Sequence, residues 1–256
     1  MQTDVHAHTT FSDGSELSAM IAAAEEAGLA GLGLTDHCIV TDDAFGRRAT
    51  YDLVETYERR REVIDAAREE TDLTLYDAAE VSFVTRETEG IREFLRAAEF
   101  DYTIGSVHFA GEYDYTSDAP YADADEGTRR SVVKRYYDAV VALIESELFD
   151  VLGHLDLPER LETLRGHSRP VDYRRVAASL AHSRTVPELN AGRVNRSLGR
   201  PHPDPSMLSH FAARGVGFVL GTDSHRPVEV TERVPELRAS VEGADIDVVD
   251  IERVLR

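Results

Sequence analysis

The chain has 256 residues, 42% of them hydrophobic, enough for a substantial core. Acids outnumber bases 48 to 28, for a net charge of −20, with Lys134 the sole lysine; such a surface repels nucleic acid and anionic membranes at low salt. So much acid with so little lysine is also the mark of adaptation to molar salt, the origin we favour, and because salt screens charge it weighs only weakly against a nucleic-acid partner.

Strand-like segments and helical patterns alternate from end to end. Val5 lies in a first strand, and Ser15 to Ala27 reads as a helix with Leu17, Ile21 and Ala24 on one face and Gly28 as its stop. Gly31 to Thr35 is a buried-strand run, followed by an insertion and a polar-faced helix from about Tyr51 to Glu70. Leu73 to Tyr76 leads to Glu80, and Tyr102 to Val107 leads to His108. From Thr128 to Glu147, residues Val133, Tyr137, Val140 and Ile144 recur every three or four positions, predicting a helix. Val151 and Leu152 lead into His154, and a helix near Tyr173 to His182 precedes Val186 to Asn190. Asp204 and Pro205 read as an N-cap and first helical position, with Gly215 closing that helix. Val216 to Leu220 leads into Asp223, and two helical segments follow.

About seven strand–helix units of this kind predict parallel strands with helices outside. A closed barrel brings the first and last strand ends to one point, which an open doubly wound sheet does not. No linker interrupts the chain, so residues 1–256 are expected to form one domain. No apolar run approaches the ~20 residues of a membrane span, and the N-terminus lacks a basic region followed by an apolar one. The lone Cys38 agrees with a reducing compartment, so a cytoplasmic location and no membrane partner are expected. Cys38 itself reads as a packed thiol.

The chemistry-bearing residues fall at the predicted strand ends. Asp4, His6 and His8 share one strand face by their spacing of two. Asp13, His37, Glu80, His108, His154, Asp223 and His225 follow. For Asp13 an ordinary turn, Ser12 to Ser15, is the competing reading. His167, His182, His202 and His210 read as surface or core residues. Nitrogen and oxygen ligands without thiolate suit Zn²⁺, Mn²⁺ or Fe²⁺. The nine candidates His6, His8, Asp13, His37, Glu80, His108, His154, Asp223 and His225 exceed what one ion holds, so a cluster is expected, with Glu80 and Asp223 able to bridge cations.

Asp4-Val5-His6-Ala7-His8, Thr35-Asp36-His37, Glu80, Gly105-Ser106-Val107-His108 and Gly221-Thr222-Asp223-Ser224-His225 resemble the ordered motifs of the polymerase-and-histidinol-phosphatase (PHP) superfamily. Asp101 to Phe109, Leu148 to Leu157 and Glu188 to Gly192 are similar to its histidinol-phosphatase branch. The resemblance implies a distorted (β/α)7 TIM-like barrel and three divalent metal ions. One ion would take His6, His8, Glu80 and Asp223; a second Asp13, His37 and His225; a third Glu80, His108 and His154. Asp4 and Asp36 would orient imidazoles from behind. The implied activity is hydrolysis of a small phosphate ester, most of all L-histidinol phosphate. Glu80 would organise the ions, and Asp223 or a histidine such as His225 would shuttle the proton. Arginine should grip the phosphate, with Arg160 and Arg193 as candidates; the family's arginine in the second region falls near Asn195, between Arg193 and Arg196. The rival readings are a nuclease or other phosphoesterase on the same cluster, which would want a basic groove, and a non-catalytic metal-binding module, which would be expected to have lost a ligand.

Overall fold

In the computed structural model, which describes residues 1–40, 51, 53–242, 244 and 246–255, strands and helices alternate along the chain. β1 (Thr3–Ala7) is followed by α1 (Leu17–Glu26), β2 (Gly31–Leu34), the two-residue β3 (His37–Cys38) and α2 (Leu53–Arg68). Next come β4 (Thr74–Ser82), α3 (Thr88–Ala98) and β5 (Tyr102–Ser106). A small hairpin, β6 (Phe109–Ala110) and β7 (Tyr113–Asp114), precedes α4 (Glu126–Glu145). The remainder is β8 (Val151–Leu152), α5 (Pro170–Leu180), β9 (Val186–Asn190), α6 (Ser209–Ala212), β10 (Val219–Gly221) and α7 (Pro227–Val241). The insertion expected before α2 falls on residues 41–50, outside the described residues.

The main sheet runs β1-β2-β4-β5-β8-β9-β10 with every pairing parallel, and β3 pairs with β4 beside it. Beyond β10 the Ser224 carbonyl accepts from the His8 amide at 2.9 Å, and a parallel bridge joins Ala7 to Ser224. The seven-stranded sheet is thereby nearly closed into a barrel with helices outside, as expected from the repeated units.

Alternation along β4 explains the layering. Tyr76, Ala78 and Glu80 share one face, and Asp77, Ala79 and Val81 the other. Tyr76 and Ala78 pack with Val5, Tyr102, Ile104, Val151 and Val219, and Ile251 from the last turn joins them. Ala79 and Val81 belong instead to the large core that includes Val133, Tyr136, Tyr137 and Val140 of α4 and Tyr173 and Val176 of α5. A third cluster packs Met20, Ala23 and Ala24 of α1 and Val230 and Val234 of α7 against Ala7, Leu32 and Leu34. Apolar packing thus fills both sides of the sheet and leaves the carboxyl ends of the strands for polar residues.

The helix boundaries follow from their caps. Asp125 accepts from the Thr128 amide at 2.7 Å, so α4 begins at Glu126, two residues before the expected start. Asp204 accepts from the Ser206 amide at 2.9 Å, but the helix expected there is only a 3-10 turn, Pro205–Met207, plus the four residues of α6. Among the described residues no helix is long and apolar enough to cross a membrane.

Candidate metal centre

The strand ends deliver one ligand candidate after another to the same place. His6 lies in β1, where a register shift between Asp4 and Ala7 breaks the regular pairing, and His8 follows the strand. His37 opens β3 and pairs in register with Glu80 of β4. His108 and His154 each lie two residues past a strand, β5 and β8, as does Asp223 past β10. Asp13 comes from the loop between β1 and α1.

Glu80 is the hub. Its Oε2 lies 2.7 Å from His37 Nδ1, 3.6 Å from His6 Nε2 and 3.8 Å from His8 Nε2. Its Oε1 lies 2.9 Å from His154 Nε2 and 3.5 Å from His108 Nε2. Asp223 Oδ1 stands 3.5 Å from His8, 3.8 Å from His225 and 3.9 Å from His6. Asp13 Oδ1 stands 3.3 Å from His225 and 3.6 Å from His37. All nine sequence candidates therefore come together, and the Asp13 side chain, 45% exposed, is the open one. Three groups bring ligand atoms within 4.8 Å of one another: His8, Asp13, His37 and His225; His6, His8 and Glu80; and His37, Glu80 and His108.

The donor set fits divalent transition-metal ions. His6 Nε2 and both ring nitrogens of His8 are buried without a hydrogen-bond partner, which is costly unless something else satisfies them. Desolvation, with repulsion from His225 and His37, pushes His8 down to about 3, so the ring is neutral and one nitrogen keeps its lone pair for a cation. Desolvation also takes His108 down to about 3, against the pull of Glu80. Burial opposes ionisation of Glu80 and Asp223, yet His37 and His6 around the one and Arg160 and His6 around the other hold both well below the carboxylate range. His6 is the exception. Burial lowers it, but Glu188, Glu80 and Asp223 together hold it well above its ordinary value, and that proton must leave for Nε2 to bind a cation.

The imidazoles are oriented by residues that sequence reasoning did not single out. Glu188 Oε1 lies 2.9 Å from His6 Nδ1, while its Oε2 accepts from the His154 amide at 3.2 Å and from Asn190 at 3.0 Å. Ser82 Oγ lies 2.8 Å from His108 Nδ1, and Ser106 Oγ donates to Glu80 Oε1 at 2.7 Å. The roles expected of Asp4 and Asp36 are corrected. Asp4 accepts from Thr222 N at 2.8 Å, from Thr222 Oγ1 at 2.5 Å and from the His6 amide at 3.2 Å, and no imidazole nitrogen. Asp36 accepts from Thr9 N and Oγ1, Ser12 Oγ and Arg60 Nε at 2.6–2.9 Å. Asp4 thereby ties β1 to the turn after β10, and Asp36 ties the loop after β1 to α2.

The centre opens into a cleft of about 360 Å³ lined by Asp13, His37, Glu80, His108, His154, Asp223, His225, Arg160 and Arg193, with Tyr115, Asp118, Leu157 and Leu161 also lining it. Arg160 donates to Asp223 Oδ2 at 2.7 Å and Asn190 Oδ1 at 3.3 Å. Arg193 has no hydrogen-bond or ion-pair partner among the described residues; repulsion from Arg160, then desolvation, lowers it to about 10. Asn195 donates to Glu232 at 2.8 Å and is not part of the cleft. His182 is exposed, whereas His202 is buried beside Arg160, a position its sequence context did not reveal. Burial pushes the Cys38 thiol up to about 12, as suits a packed thiol.

The profile of the PHP domain matches residues 4–184. The chain belongs to the PHP family. A Deinococcus radiodurans protein named probable histidinol-phosphatase is 30% identical over 224 residues, 84% of either chain. The crystal structure of histidinol phosphate phosphatase from Lactococcus lactis, complexed with zinc, L-histidinol and phosphate, matches 97% of this chain and 95% of that one at 21% identity, with a TM-score of 0.80. A Listeria monocytogenes structure provisionally named as a histidinol phosphatase matches 89% of this chain and 96% of that one at 18% identity, with a TM-score of 0.73. The nearly closed barrel is thus a fold this PHP chain shares with both structures.

Proposed function

We propose that the protein is a metal-dependent phosphomonoesterase that hydrolyses L-histidinol phosphate to L-histidinol and phosphate. The observation that carries this reading is the convergence of six histidines with Glu80, Asp13 and Asp223, in a cleft that also holds Arg160 and Arg193. The Deinococcus relative and the two structural neighbours support the substrate. His6, His8, Glu80 and Asp223 would hold one ion, Asp13, His37 and His225 a second, and Glu80, His108 and His154 a third, each being Zn²⁺, Mn²⁺ or Fe²⁺. Because these ligands run from His6 to His225, residues 1–256 act as one domain in this reading.

When bound, such ions supply positive charge for the phosphoryl oxygens and activate water near neutral pH. The chain's own residues do the rest. Arg193 and Arg160 grip the phosphate through charge-assisted hydrogen bonds. Asp223, its Oδ2 held by Arg160, and His225 pass the proton to the leaving alcohol oxygen. Glu80 keeps five imidazoles within 3.8 Å of a common carboxylate. Asp118, with Tyr115, Leu157 and Leu161, gives the cleft a mixed acidic and apolar lining that suits a cationic amine on a ring-bearing alcohol.

The test is a panel of phosphate esters offered to Mn²⁺- or Zn²⁺-loaded protein at low and molar salt. The expected result is a higher kcat/KM for histidinol phosphate than for p-nitrophenyl phosphate, with activity best sustained in molar salt if the acidic surface is a salt adaptation. Preference for a nucleotide or oligonucleotide would replace this reading with that of a PHP nuclease.

A further inference from the structure

Arg160 is held from behind as well as from the front. Its Nε lies 3.2 Å from His202 Nε2, and the opposite ring nitrogen, His202 Nδ1, makes a short hydrogen bond with Asp156 Oδ1. His202 and Asp156 are both fully buried. Asp156 is itself fixed: its Oδ2 accepts from Tyr173 Oη at 2.9 Å, from the Asp204 amide at 3.0 Å and from Arg200 at 3.4 Å.

Only one tautomer satisfies this chain. A guanidinium N–H can only donate, so His202 Nε2 must offer its lone pair, and the ring proton sits on Nδ1, donated to Asp156. Desolvation lowers His202 to about 4 despite the attraction of Asp156, so the ring is neutral where it must accept. The result is a line, Asp156 to His202 to Arg160 to Asp223, that runs from the α5 packing layer into the cluster. In this line the imidazole is an aiming strut, not a base, because its one free lone pair is spent on Arg160.

We propose that His202 is a positioning residue for phosphate binding: locked by Asp156, it fixes the Arg160 guanidinium between Asp223 and the cleft. The inference rests on the reading of Arg160 as a phosphate anchor. It explains why a histidine between two prolines, Pro201 and Pro203, is buried against an arginine instead of exposed on its loop.

The test uses inorganic phosphate as the probe. Its Kd on the Mn²⁺-loaded protein is measured by calorimetry for the wild type, Arg160→Ala, His202→Leu and His202→Gln, with metal content determined on each. His202→Leu should weaken phosphate roughly tenfold with metal equivalents unchanged, the effect of one misdirected charge-assisted hydrogen bond. His202→Gln, whose amide can accept from Arg160 and donate to Asp156, should stay within about threefold of wild type. In the wild type, ¹⁵N resonances should report the Nδ1–H tautomer, and this reading decides the matter even if the leucine variant does not fold. An Nε2–H tautomer, wild-type phosphate affinity in His202→Leu, or a glutamine variant as weak as the leucine one overturns the inference. If Arg160→Ala itself binds phosphate as tightly as wild type, the anchor reading beneath it falls instead.

Discussion

Glu80→Gln is the sharpest probe of the centre, because the substitution keeps the shape of the side chain and removes one charge. In the structure that charge faces five imidazoles: His37 at 2.7 Å, His154 at 2.9 Å, and His108, His6 and His8 at 3.5–3.8 Å. The residue is 1% exposed, so solvent cannot replace what is lost. Breaking a buried charge constellation by removing one partner costs ~3–5 kcal/mol. Placed on the transition state, that lowers turnover by roughly two to four powers of ten. The assay is kcat on histidinol phosphate at saturating metal, with bound metal measured on the same samples. His182→Ala, exposed at the end of α5, is the control and should leave both unchanged. Equal losses from the two variants with the fold intact, or a Glu80→Gln enzyme near wild-type rate, would refute the placement of Glu80 at the hub.

Elemental analysis of protein purified without chelator should show about three transition-metal equivalents per chain, since nine ligand groups exceed what one ion holds; a clean single equivalent sinks the three-ion assignment. Arg193→Ala should lower kcat/KM roughly ten- to hundredfold, the worth of a hydrogen bond to a charged group, and shift stability by no more than ~0.5 kcal/mol because the side chain has no hydrogen-bond partner among the described residues to lose. An unchanged kcat/KM would remove it from the phosphate site. Stability of the metal-free protein should fall as pH drops from 6.5 towards 4, since unfolded His202 takes up a proton in that window while the folded ring, lowered to about 4 by burial, does not. Denaturant midpoints at pH 7 and 4.5 should differ less in His202→Gln than in the native chain, and an identical difference would contradict the assignment.

The repeated strand-then-ligand pattern was legible because both signals are local: a few apolar residues, then a polar one at the strand end. His6, Glu80 and Asp223 could be placed on those grounds, and the parallel sheet followed. Helix α3 was equally legible, since Ile91, Phe94, Leu95 and Ala98 recur at the three-and-four spacing of an apolar helix face, yet it is absent from the expected elements. The hairpin β6–β7 has two residues a side, too few for alternation to register. Glu188 carried a further signal, a charged residue between Pro187 and Leu189 inside β9, where burial demands a partner. Arg60 carried none. It is one of three consecutive arginines, and only the phase of α2 turns it, fully buried, onto Asp36 and Asp77. His202 is likewise a tertiary fact, since nothing local tells a histidine between prolines that Asp156 and Arg160 await it.

The contact between β1 and β10 gives the barrel a seam. It is sewn by the His8 amide to Ser224 at 2.9 Å, by Ser224 N to the His6 carbonyl at 3.4 Å, and by the two bonds from Thr222 to Asp4. His6 and His8 stand on one lip, Asp223 and His225 on the other. A growing chain that has reached only β9 carries seven of the nine candidate ligand groups and has no second lip. Shutting the barrel and completing the cluster are therefore a single event, and anything that parts the seam draws two imidazoles away from Asp223 in the same movement.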